Sequence, residues 1–248
     1  IGQGYNKLTL SIFPMNSRAL ASVIRQGALP DLSIIGHQRS KKRLKTLRRQ
    51  LRKIAVDGLS VRWLRIRSIL DYRITSQLDR QVCQSHYWAI NPVTGLHLIP
   101  DQLAALRHPD RSYAIGQLIA AYKTFPPLME HYMANLMSGQ KRGLSAPRIM
   151  VLSVIQQLDD TLSVPIEKST FMAVNTTKSP QFTHPLQSLK TSVSTDVYTA
   201  LHRFRTFLKR HILPNARRTV GLVHMPDGHR CYKHLIDTMG TGYPSAKA

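Results

Sequence analysis

Eleven histidines, two glutamates and one adjacent pair of aspartates are the residues of this chain suited to acid–base or metal chemistry. Their spacing speaks against such a site. His224, His229 and His234 recur every five residues, whereas side chains on a helix align at steps of three or four. No HExxH segment occurs, and Glu130 and Glu167 stand alone, without the ligand spacing of a zinc hydrolase. Asp159 and Asp160 are neighbours. On a helix they diverge by about 100° and cannot face one substrate together. GxSxG and Walker-type GxxxxGK[ST] segments are also absent. The Met and aromatic residues between 129 and 137 recur at helical spacing, which reads as core packing. The residues alone therefore assign no catalytic group, no metal ligand and no substrate contact.

Charge is the strongest compositional signal. Thirty-five Lys and Arg against 13 Asp and Glu give +22 and a pI near 10.7. Between Arg39 and Lys53 the cations crowd around a complete apolar stripe of Leu44, Leu47, Leu51 and Ile54. One reading is a helix that faces RNA or DNA through Arg48, Arg49 and Arg52. The other is the solvated side of an ordinary core helix. No RNP motif, KH loop or paired-Cys zinc site accompanies the run, so the second reading is preferred. Weak, salt-sensitive polyanion binding is expected, with a basic all-helical RNA-binding protein as the alternative. Cys83 and Cys231 lack CxxC companions and read as buried small hydrophobes. No apolar run approaches the roughly 18–20 residues of a membrane span. The chain begins with Ile and shows no secretory leader, so its true start is expected to be missing and its compartment stays open.

The elements that would position these residues are helical. Ser33 is a candidate cap for a helix over 38–56 that Asp57-Gly58 ends. Ser60 can cap a second, carrying Trp63, Ile66, Leu70, Ile74, Leu78 and Val82 inward, which completes an αα-hairpin. A structured loop is expected near 84–111, with Trp88 to Gly95 as its conspicuous part. Helices follow from Ser112, from Leu128 to Lys141 after the Pro126-Pro127 break, and from Ser145-Ala146-Pro147, with Ser145 as cap. Residues 163–194 read as a second long loop, Asp196 as a helix start, Pro214 as its stop and Gly228 as the start of a last helix. The predicted fold class is all-α: one helical domain over 1–248, built of hairpins with long irregular loops and a loose tail over 239–248.

Several short segments, taken in order, resemble the N-terminal half of the bacterial family called domain of unknown function 885. They include Leu29-Pro30-Asp31-Leu32-Ser33, Asp57-Gly58-Leu59-Ser60, Trp88-Ala89-Ile90-Asn91-Pro92 with Gly95, and Phe125-Pro126. Asn135-Leu136 with Gly139, Gly143-Leu144 and Pro147-Arg148 continue the set. Leu213-Pro214-Asn215-Ala216-Arg217 and Val220-Gly221-Leu222 with Pro226, Gly228 and Tyr232 complete it, across 29–238. The resemblance implies a mostly helical, zinc-dependent, peptidase-like hydrolase. Its metal centre, a His-Glu segment followed by Pro-Gly-His-His, is expected C-terminal to the matched region. No ligand role then falls on any residue here, the chain alone is expected to be inactive without a cofactor of its own, and a peptide substrate requires the missing half. The loop from Trp88 to Gly95 is where wall residues of a substrate cleft are expected.

Overall fold

The computed structural model describes residues 29–105, 112–172 and 183–239. Residues 1–28 and the expected tail beyond Met239 lie outside them. Regular structure among the described residues is helical, apart from one isolated parallel bridge between Pro147 and Arg217.

Helix α1 (Ile34–Arg52) starts where Ser33 Oγ accepts the amide of Gly36 at 3.0 Å, an N-cap of the expected kind. Leu44, Leu47 and Leu51 are buried, but the helix ends before Ile54, which faces solvent. Helix α2 (Val61–Asp79) returns antiparallel, and its Ser60 makes no side-chain cap bond. Ile74 is fully buried, with Leu70 and Leu78 packed beside it. Trp63, expected inward, is 57% exposed. Trp63 lies within about 20° of Ile74 around the helix, but it sits in the first turn of α2, at the tip of the hairpin, near where α1 ends at Arg52 just past its last buried residue, Leu51. The hairpin closes its own small core, separate from the main one.

The structured loop expected near 84–111, whose residues 106–111 lie outside the described residues, is more helical than expected. From α2 the chain runs through tight 3-10 turns at Arg80–Cys83, Ser85–Tyr87 and Leu96–Leu98 into α3 (Ile99–Ala105), because Ile99, Leu103 and Ala104 all bury there. Then come α4 (Ser112–Lys123) and α5 (Phe125–Gln140), with both prolines in the first turn of α5. Helix α6 (Arg148–Ser163) starts after Pro147, so Ser145 is not its cap.

Of the second expected loop, residues 173–182 lie outside the described residues, and the described part holds 3-10 turns at Ile166–Lys168 and Thr170–Met172 and is helical from Thr183. A rod begins at Thr183 as α7 (Thr183–Ser192), widens to a π-helical turn at Val193–Tyr198, and continues as α8 (Thr199–Phe207). It widens again at Leu208–Ile212 and closes at Leu213–Asn215. Asp196 thus lies within the rod rather than at its start. Leu189, Val193, Val197 and Leu201 are all fully buried, four residues apart. That spacing overshoots the α-helical period by about 40° per step, and a π turn, bonded i to i+5, absorbs the excess. Helix α9 (Gly228–Met239) follows a short link. The main core gathers around α5 and the rod, with Tyr122, Phe125, Met129, Leu158, Leu201 and Phe204 almost wholly buried. Each large side chain buried there contributes roughly 1.5–3 kcal/mol.

Candidate functional site

Where the first π turn meets α5, the surface opens into a cleft of about 240 Å³. Pro126, Met129 and Met133 form its apolar side. Asp196 lines it from the π turn, its Oδ2 accepting from Ser192 Oγ at 2.7 Å. Glu130 and Arg203 pair across it at 3.5 Å, both more than half exposed, so the pair stabilises by no more than about 1 kcal/mol. The volume falls below the roughly 300–1,000 Å³ of ligand pockets. The cleft also lacks a nucleophile–base pair, and its chemistry goes no further than weak polar contact.

The loop singled out in the sequence lies elsewhere and is packed rather than open. Trp88 Nε1 donates to the Cys83 carbonyl at 2.8 Å, and Tyr132 Oη to that of Ala89 at 2.6 Å. Asn91 Oδ1 accepts the amides of Val93 and Thr94 at 2.7 and 3.0 Å, which fixes an Asx turn. Gly95 lies so close to the Asn91 carbonyl and the His97 ring that a Cβ would stand 2.4 Å from both. His97 is buried, its Nε2 3.0 Å from Gln157 Oε1, and Gln157 Nε2 in turn donates to the Pro92 carbonyl. Val93 is the exposed tip.

The other candidates separate likewise. Asp159 binds Arg205 and Lys209, with hydrogen bonding from Arg205 holding its carboxyl below the usual range. Asp160 instead accepts from Gln156. His224 and His229 are exposed and His234 half-buried. Among the described residues no three His, Cys, Asp or Glu side chains gather in a way that could hold a metal ion. The sequence reading missed a histidine pair: the rings of His37 and His86 lie 4.4 Å apart between α1 and the turn after α2. Burial first, then the neighbouring His37 and Arg142, push His86 down to about 4. Burial also lowers His37.

The cysteines overturn the expectation of two separate buried thiols. Cys83 and Cys231 form a disulfide with their Cα atoms 4.7 Å apart, tying the end of the hairpin to α9 across 148 residues. Both lie in uninformative sequence surroundings, and only the fold brings them together.

Several residues of the family-like segments bind one another or backbone close beside those segments. Asn135 Nδ2 donates to the Leu32 carbonyl at 2.8 Å. Gly139 lets the Tyr87 backbone approach so closely that a Cβ would lie 2.0 Å from its carbonyl oxygen. Arg217 Nε donates to the Ser145 carbonyl at 2.9 Å, and its Nη1 to those of Thr219 and Gly221 at 2.7 and 2.8 Å. Arg148 Nη1 reaches the Leu213 carbonyl at 3.0 Å. These residues hold segments together rather than aim at a substrate.

The family model described as bacterial protein of unknown function (DUF885) matches residues 14–247. No curated protein matches the chain significantly. Among solved structures, a crystal structure of a protein from Colwellia psychrerythraea, named provisionally as a lipoprotein, shares the fold. The TM-score is 0.80 at 14% identity, over 98% of this chain and 46% of that one. The present chain thus spans about half the length of that protein.

Proposed function

Since the chain belongs to the bacterial family DUF885, we propose that it is the helical, non-catalytic N-terminal region of a longer zinc-dependent, peptidase-like hydrolase. The observation that supports this reading most is the coverage: nearly all of this chain superposes on less than half of a larger protein. The interlocked motifs fit a scaffold role, because Asn135, Gly139, Arg148 and Arg217 all spend their polar or steric capacity on backbone.

Zinc does not fit the residues described here. Four-coordinate zinc takes three or four clustered His, Cys or carboxylate ligands. Both cysteines are committed to a disulfide, and no three candidate ligands converge among the described residues. No catalytic step through zinc is therefore derived for this chain. Its part in the proposed hydrolase is to hold a rigid wall beside a centre supplied from outside residues 29–239.

The disulfide also bears on the compartment. Such bridges persist in oxidising surroundings and are rare in the reducing cytosol, and this supports an extracytoplasmic setting.

The DNA beyond the codon for Ala248 tests the proposal. An in-frame or frameshifted stretch encoding His-Glu followed by Pro-Gly-His-His is the expected result. An unrelated sequence there, or a stop codon with no such stretch downstream, would count against it.

A further inference from the structure

Independently of any hydrolase role, the α1–α2 hairpin has the makings of an interaction surface. From Ile34 to Asp79 it carries 13 Lys and Arg against three Asp, close to half of the net charge of the chain in under a fifth of its length. Its tip is unusual in a second respect. Val56, Val61 and Trp63 stand 46, 65 and 57% exposed there. Lys53, Arg62 and Arg65 are exposed among them, and Asp57 is the sole acid between Arg52 and Arg65. Within the hairpin the inward side chains already fill their own core, so the tip residues are not needed to close it.

We propose that this tip docks on an anionic lipid surface, with Val61 and Trp63 entering the headgroup boundary and the cations lying on lipid phosphates. The two chemistries on one tip choose the partner. Cations alone would suit RNA as well as lipid. Exposed Val side chains gain nothing from phosphates, but they gain from transfer out of water into the acyl boundary, where Trp also prefers to sit. Juxtamembrane cations add about 1 kcal/mol each near an anionic leaflet. No helix among the described residues is long and apolar enough to cross a membrane, and the contact is peripheral.

The purified chain should be titrated with vesicles of phosphatidylcholine alone and with about one-third phosphatidylglycerol, following sedimentation and tryptophan emission. Trp88 is half-buried and bonded to the Cys83 carbonyl, so a blue shift reports Trp63. Binding to the anionic vesicles with a blue shift, and little to neutral ones, is expected. Val61→Asp and Trp63→Asp, both at exposed positions, should each weaken it on the order of tenfold while circular dichroism stays unchanged. Arg62→Glu with Arg65→Glu should weaken it as much. No binding to anionic vesicles overturns the proposal. So does binding that both Asp variants leave intact, which would mean charge attraction without insertion. Tight single-stranded RNA binding through the same residues, with vesicles ignored, would replace lipid by nucleic acid.

Discussion

Cys83, at the end of the α1–α2 hairpin, is bonded to Cys231 in the first turn of α9, 148 positions further along the chain. The bridge ties the hairpin, which has its own core, to the C-terminal end of the described chain. A loop of this length, when closed, removes about 5 kcal/mol of denatured-state entropy in the chain-entropy model. Cys83→Ser with Cys231→Ser should therefore lower Tm by on the order of 10 °C while leaving the helical circular dichroism in place. Free-thiol titration of the unreduced wild type should find none. Two titratable thiols in freshly purified native protein would remove the bridge from the account.

Gly139 and Gly116 both sit inside helices and should respond to alanine with opposite sign. Alanine in a helix interior is favoured over glycine by about 1 kcal/mol. At Gly116 nothing lies within 4 Å of an added Cβ, so Gly116→Ala should stabilise by roughly 0.5–1 kcal/mol. At Gly139 the new atom meets the Tyr87 carbonyl, and Gly139→Ala should destabilise by about 1–3 kcal/mol. Urea unfolding of the two variants checks the difference.

Arg217→Lys tests the clasp between the α6 entrance and the link before α9. One ammonium cannot reproduce a planar fork spread over the carbonyls of Ser145, Thr219 and Gly221. A loss of about 2 kcal/mol is expected, with faster proteolysis of the link around residues 218–224. Equal protease resistance in wild type and variant would show that the link is held by other contacts.

The His37–His86 pair makes stability depend on pH. His86 titrates near 4 when folded against an ordinary value of 6.5, so below pH 6.5 the unfolded chain binds the extra proton. Its contribution is present above pH 6.5, is lost as pH falls toward 4, and is gone below that. Tm measured between pH 7 and 4 should fall more steeply in wild type than in His86→Gln. Parallel curves would mean that protonating His86 costs nothing in the folded protein.

What could be read from the sequence was the part with an honest 3.6-residue period and local punctuation. The Leu44, Leu47 and Leu51 stripe, the Asp57-Gly58 link and the Met150 to Leu162 stripe all produced the helices expected of them, within a few residues. The rod was read as a helix from Asp196 to its stop at Pro214, but its first part, from Thr183, was missed for two reasons. Its outer face is Ser, Thr and Lys, which imitate a loop, and its apolar residues are spaced at four, a period that the two π turns accommodate. The Cys83–Cys231 bond and the His37–His86 contact join residues far apart in the chain, and nothing local to either partner announces them. For the same reason nothing local shows that Asn135, Arg148 and Arg217 bond to backbone carbonyls of distant segments.

As the proposed scaffold part of a hydrolase whose metal centre lies outside it, this chain should hold no catalytic zinc of its own. Metal analysis of the purified chain after dialysis against trace zinc, run together with a broad peptide-hydrolysis screen, tests this most directly. Far less than one tightly held zinc per chain and no cleavage above background are expected. One zinc per chain accompanied by zinc-dependent peptide cleavage would contradict it.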